Sequence, residues 1–229
     1  MIENNFYSNR LVKKPWGEEY IIYKDANKLA ITLVKINYNH KTSLHSHPKK
    51  KTGFIILNGT AAVQIGIYKK NIKRYKSLSR LVLRPGLFHS LKAESKIGVT
   101  ALEFETPYKK KDLIRFKDNY GRENKKYEGK KFTNLLNSKY LKFKKPKLGE
   151  RLKYRFKGVE IILEKKKKLS DYLAKDNKSS VAVLDGHIVD KNGQNVISFG
   201  EIVKTSTLKI FFERFNIKKP LTFLRVKKV

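Results

Sequence analysis

From Glu19 to Glu105 the chain advances in short apolar runs, each closed by residues that turn a backbone, and no helical period competes with them. The clearest run is Leu29–Tyr38. There Ala30, Thr32, Val34, Ile36 and Tyr38 alternate with Ile31, Leu33, Lys35 and Asn37, a period of two that puts them on opposite faces of a strand. Similar strands are expected at Glu19–Tyr23, Thr52–Leu57, Ala61–Tyr68, Leu81–Leu83, Ser90–Lys92 and Gly98–Glu105. Asn39 stands where the turn needs a left-handed residue, and Asn58-Gly59 carries the strongest short-range hairpin signal, joining Thr52–Leu57 to Ala61–Tyr68. Many short strands at regular spacing describe an all-β sandwich or barrel.

Set into this pattern is the segment NHKTSLHSHPKKKTGFIILNG, residues 39–59. His45 and His47 are one residue apart, so on a strand their imidazoles share a face. His89 arrives in RPGLFHSL, after a Pro-Gly turn, at the start of another apolar segment. Three imidazoles converging from two strands would make a metal site. The chain has no Cys, so neither a disulfide framework nor a thiolate site is open to it, and only nitrogen and oxygen ligands remain.

Upstream, residues 1–17 read as an irregular arm ending in Lys14-Pro15-Trp16-Gly17, a fixed turn that would seat the one Trp on the barrel. Met1 leads into Ile2, Glu3, Asn4 and Asn5 without an apolar h-region, so no secretory signal is expected. Beyond Thr106 the texture changes. Residues 123–147 are lysine-rich and read as a connector with one short helix at Phe132–Tyr140. Short strands then resume at Val159–Leu163, Val181–Leu184, Ile188–Val189, Val196–Ser198, Leu208–Phe212 and Leu221–Val226. Phe54-Ile-Ile-Leu-Asn-Gly59 is echoed by Val181-Ala-Val-Leu-Asp-Gly186, each a strand entering a tight turn. The second half contains only His187 and cannot repeat the three-histidine set. Two tandem barrels, the second degenerate, are the expected organisation.

The formal charge is +33, with 53 Lys and Arg against 20 Asp and Glu. The excess is mostly Lys and spread along the whole chain, and neither an Arg-rich base-reading element nor a docking motif accompanies it, so no specific nucleic-acid partner is expected. A basic surface would still draw phosphorylated sugars or nucleotide sugars by its field. The apolar runs are far too short to span a bilayer. A cytoplasmic protein is expected.

Five features, in order, resemble one family: Lys14-Pro-Trp-Gly17, the HxH segment with Gly59, Pro85-Gly86-Leu-Phe-His89, Leu102-Glu-Phe-Glu105, and Asp112-Leu-Ile-Arg115-Phe-Lys-Asp118-Asn-Tyr-Gly-Arg122. Together they make residues 14–122 similar to the C-terminal cupin domain of type II mannose-6-phosphate isomerases. The resemblance implies a double-stranded β-helix, a jelly-roll barrel with a metal inside. It sets the domains as a cupin barrel at 1–122, the connector at 123–147 and a degenerate cupin-like domain at 148–229. In the general cupin pattern His45, His47 and His89 fall on the histidine positions, whereas Thr52 occupies the place of the usual Glu. In the isomerase subgroup His45 lies where Gln is usual and Lys50 where Arg is.

The implied activity is metal-dependent aldose–ketose isomerisation of a sugar phosphate, within carbohydrate metabolism or surface-polysaccharide assembly. The divalent ion would be zinc, manganese or iron, since imidazole suits each of them. Glu103 and Glu105 lie two apart on one strand face, and either could be the base if burial raises its pKa. Arg115 joins them as a catalytic candidate, with Lys50 and Arg122 for the phosphate. A homodimer is the expected assembly. Two other readings stay open: a three-histidine iron dioxygenase, which the change from Glu to Thr52 favours, and a non-catalytic sugar-binding cupin.

Overall fold

The computed structural model describes residues 6–26, 28–125, 127–167 and 178–229, and the leader-segment reading at Met1–Asn5 lies outside them. The chain divides into two compact units, residues 1–143 and 144–229. Residues 123–143 thus belong with the first unit.

That first unit is wound from two antiparallel sheets. One has seven strands, in the order β12 (Thr133–Leu135), β1 (Arg10–Lys14), β2 (Gly17–Asp25), β3 (Leu29–Ile36), β10 (Val99–Thr106), β5 (Lys51–Asn58) and β8 (Arg80–Leu83). The other has five: β11 (Ile114–Lys117), β4 (Leu44–Ser46), β9 (His89–Ala93), β6 (Ala61–Ile65) and β7 (Ile72–Tyr75). From β3 onward the chain changes sheet at every step except the β6–β7 hairpin, which is the winding of a double-stranded β-helix.

Alternate residues of these strands fill the interior: Val34 and Ile36, Phe54 and Ile56, Ala61 and Val63, Leu81 and Leu83, Leu91 and Ala93, Val99 and Ala101, capped by Trp16. The same strand faces continue into polar side chains. Thr32 precedes Val34, Thr52 precedes Phe54, His89 precedes Leu91, and Glu103 and Glu105 follow Ala101. One end of the barrel is therefore an apolar core and the other a charged chamber, both set by a single pleat.

The backbone turns behave as their residues require. Asn39 has φ 60°. Gly59 has φ +83°, and a Cβ there would lie 2.0 Å from the Gly98 carbonyl oxygen. The Asn58-Gly59 turn is nevertheless not a hairpin. It passes the chain from β5 in one sheet to β6 in the other, because β5 finds its partners in β10 and β8.

Three other expectations change. Residues 10–14 are not an irregular arm but β1, held between β2 and β12. The short helix expected at Phe132–Tyr140 is absent, and β12 pairs there with β1 instead, a contact across more than a hundred residues that no local pattern announces. In the second unit, Leu208–Phe212 is not a strand but part of helix α1, Thr205–Arg214. Its Leu208, Phe211 and Phe212, with Phe215 just beyond, follow helical spacing and pack into that unit's core.

The second unit holds a five-stranded sheet, β13 (Arg151–Phe156), β14 (Val159–Lys166), β20 (Leu221–Lys228), β15 (Ser180–Asp185) and β18 (Ile202–Lys204). A three-stranded sheet, β17 (Asn195–Ile197), β16 (Ile188–Val189) and β19 (Asn216–Ile217), completes it. Val181, Val183, Ile188, Ile197, Leu208, Leu221 and Phe223 form its core, as in a second, smaller barrel. Among the described residues no helix is long and apolar enough to cross a membrane.

Candidate functional site

His45 on β4 and His89 on β9 are direct register partners, and His47 follows at the end of β4. Their ring centroids are 4.4 Å (His45–His89), 4.9 Å (His45–His47) and 5.4 Å (His47–His89) apart. One ligand atom from each lies within 4.8 Å of the others, the one such grouping among the described residues.

Each Nδ1 faces a backbone carbonyl: Ser43 at 2.8 Å from His45, Asp112 at 2.5 Å from His47 and Leu87 at 3.0 Å from His89. A carbonyl only accepts, so each Nδ1 carries the proton and each Nε2 keeps a lone pair. The Nε2 atoms of His47 and His89 are buried with no hydrogen-bond partner in the protein. Burial drives the pKa of all three rings down, and neighbouring charge adds to it: His89 and Lys50 at His45, and Lys50 at His47. His89 is lowered to about 4, again first by burial. Neutral imidazoles with unprotonated, unpartnered Nε2 atoms are what a divalent ion takes as ligands, so this residue set fits one. The Oγ1 of Thr52, at 1% exposure, is a further buried oxygen without a partner.

A wall of charge stands beside the histidines. Lys50 donates to Glu105 Oε1 at 2.5 Å, and Lys110 to Glu105 Oε2 at 3.0 Å. Lys110 also reaches Thr32 Oγ1 at 3.3 Å and Glu19 Oε1 at 3.4 Å. Tyr127 donates its hydroxyl to Glu19, and Lys14 is paired with Glu128. Burial alone would raise the Glu105 pKa, but Lys110 and Lys50 overcome it and hold the group at about 2. Lys110 and Lys50 act on Glu103 by charge alone, without a hydrogen bond to it, and do not offset its burial. Burial, reinforced by the negative charge of Glu105, lifts it to about 7. Of the paired carboxylates, only Glu103 has the raised pKa that a base requires, and Glu105 is a fixed counter-ion.

His45, His47, Lys50, Glu103, Glu105, Arg115 and Arg122 all line one cavity, and His89 adjoins it through the other two rings. Two of the expected phosphate ligands are already engaged. Arg122 forks onto Asp118 at 2.8 and 2.9 Å and reaches Glu128 at 2.7 Å, and Lys50 is tied to Glu105. Arg115 lies 3.6 Å from Glu128. Lys14, Glu19, Lys110 and Tyr127 also line the cavity and went unnoticed in the sequence. Lys14 was visible in the Lys-Pro-Trp-Gly turn, but Lys110 sits in a lysine run that reads as solvated surface.

A barrel wound from two sheets, with histidines converging inside it, is a cupin. Within that class the chain belongs to the family described as Mannose-6-phosphate isomerase C-terminal, whose model matches residues 3–118. No curated protein matches the chain. Among solved structures it is similar to the cupin domain of Schizosaccharomyces pombe Cnp3, with 16% identity over 40% of this chain and 64% of that one and a TM-score of 0.37. It is also similar to KdgF from Halomonas sp., at 16% identity over 42% of this chain and 84% of that one, TM-score 0.37. The capsular polysaccharide assembling protein CapF from Staphylococcus aureus matches at 12% identity over 52% of this chain and 34% of that one, TM-score 0.42. The matched region thus spans less than two thirds of the Cnp3 and CapF chains. These partial likenesses say nothing of function.

Proposed function

We propose that the first unit is a metal-dependent isomerase that interconverts an aldose phosphate and the matching ketose. The observation that carries this reading is the splitting of Glu103 from Glu105 inside the chamber that also holds the three imidazoles. Aldose–ketose conversion moves one proton between adjacent carbons, which needs a group that accepts and returns a proton near neutral pH. Glu103, held at about 7, is such a group.

A divalent ion held by His45, His47 and His89, whether zinc, manganese or iron, would supply the electrophile for the sugar oxygens. Glu103 takes the proton from the hydroxyl-bearing carbon and delivers it to its neighbour, while the hydroxyl proton passes from that carbon's oxygen to the former carbonyl oxygen. Glu105 keeps Lys50 and Lys110 at fixed positions and stays ionised throughout. Arg115, Lys50 and Arg122 line this end of the cavity as cations for an anionic phosphate, with which Lys50 and Arg122 would share the carboxylates that now hold them. A nucleotide sugar offers the same phosphate chemistry.

One observation favours a second reading, an iron dioxygenase. Thr52 leaves the ligand set as three neutral imidazoles and a hydroxyl, without a carboxylate. Metal analysis and turnover separate the two. Under the isomerase reading the purified protein holds about one ion per chain and turns over a sugar phosphate, and His45→Ala and His89→Ala each lose the ion while the far-ultraviolet β spectrum persists. Stoichiometric metal in both variants excludes the site. Oxygen uptake with iron, without sugar-phosphate turnover, would replace the isomerase by the oxygenase. Unchanged ligand affinity in His47→Ala, with no turnover in any assay, would leave a sugar-binding module.

A further inference from the structure

Two of the three imidazoles are oriented by the residues that lead into their own strands. Nδ1 of His45 donates to the carbonyl of Ser43 and Nδ1 of His89 to that of Leu87, in each case two residues back. His47 differs. Its Nδ1 donates to the carbonyl of Asp112, 65 residues further along the chain. The orientation of this ring therefore depends on how a remote segment is held.

Asp112 supplies that hold itself. Its carboxylate accepts from the backbone N–H of Lys49, at 3.0 Å to Oδ2 and 3.2 Å to Oδ1, and from that of Lys50 at 2.9 Å. Lys49 and Lys50 are the second and third residues after His47. The bonds close a ring: imidazole to carbonyl, through the Asp112 side chain to two adjacent amides, and back along the backbone to the imidazole. A carboxylate is suited to this, since its two oxygens can take neighbouring N–H groups and the bonds are charge-assisted. On the other side, Gly86 N–H donates to the His47 carbonyl at 2.9 Å, so the backbone of His47 is pinned while Asp112 sets its ring.

We propose that Asp112 is a positioning residue for the metal centre, fixing the tautomer and direction of His47 through its own carbonyl while its carboxylate latches that carbonyl in place. This rests on His45, His47 and His89 being metal ligands and is independent of which reaction the centre performs. It also explains why the segment Asp112–Arg122 begins with an acid. Asp112 holds the ring, Arg115 lines the cavity, and Asp118 secures Arg122.

The test uses the whole chain with zinc. Asp112→Ala removes the latch and Asp112→Asn keeps an acceptor oxygen, and zinc affinity is read by competition with a chelator. Loss of such an outer partner weakens binding about 10- to 100-fold, so Ala is expected in that range and Asn within about threefold of the native chain. Nitrogen NMR of the metal-free rings gives a readout that general loosening would not produce. In Asp112→Ala the His47 ring becomes a mixture of tautomers while His45 and His89 keep Nδ1–H. Native zinc affinity in Asp112→Ala, an unchanged His47 tautomer, or equal scrambling of all three rings would overturn the proposal. If the Ala variant does not fold, Asp112→Ser, whose side chain stops short of the amides, is held to the same outcomes. Absence of sugar-phosphate turnover would sink the isomerase reading and leave these readouts untouched.

Discussion

Glu105→Gln should lower the pKa of Glu103. The two side chains project from one face of β10 two residues apart, a spacing of about 7 Å along a strand. At an effective dielectric of about 20, unit charges at that distance interact by roughly 332/(20 × 7), or about 2.4 kcal/mol, which is about 1.7 pKa units. The substitution also leaves the positive charges of Lys50 and Lys110 less neutralised beside Glu103, which pushes in the same direction. Burial is unchanged and still favours the protonated acid. The expected fall is therefore about one to two units, short of the value for a free side chain. Glutamate carboxyl-carbon NMR on metal-free protein measures it directly, with Glu103→Gln to assign the resonance. Removing the shared carboxylate from two buried ammonium groups costs about 3–5 kcal/mol, so the titration is run well below the melting midpoint. Under the isomerase reading the acid limb of kcat/KM moves down by the same amount. A Glu103 that titrates at or above its native value in the variant would refute the coupling, and with it the division of roles within the pair.

Glu105 also predicts how the fold responds to acid. Its pKa, about 2, lies below the ordinary 4.5, so its contribution to stability is complete above pH 4.5 and is lost as pH falls from 4.5 towards 2. The native chain should lose on the order of 3 kcal/mol more than Glu105→Gln across that window in denaturant titrations, and parallel pH curves would refute it. Gly59→Ala forces a side chain onto a φ of +83° with its Cβ 2.0 Å from a backbone oxygen. Calorimetry should show a loss of about 3 kcal/mol or more, since the left-handed backbone alone costs about 1–2 kcal/mol, and a smaller loss than that minimum would mean the Gly59–Gly98 approach is loose.

Much of the first barrel could be read from the chain because its signals are local. Alternation across Leu29–Ile36, and imidazoles two apart at His45 and His47, need no partner to be recognised. What escaped depends on partners far away. Asn58-Gly59 has the chemistry of a hairpin turn, but whether the chain folds back or crosses to another sheet is decided by what β10 and β8 offer to β5. β1 is too polar to declare itself and exists through its pairing with β2 and β12. Lys110 looked like one more solvated lysine until Glu19 and Glu105 were seen to converge on it. Leu208–Phe212 was short enough for either period, and its membership of a helix shows only when Phe215 is counted with it.

The ladder joining β4 to β9 consists of a single residue pair, His45 opposite His89. An ion held by both rings would add a side-chain cross-link at that pair, beyond the backbone bonds that Asn39, His40 and Thr42, just before β4, make to Leu91 and Ala93. Loading the ion would then stiffen this wall of the chamber as well as arm it, and stripping it would leave the wall held by its backbone bonds alone.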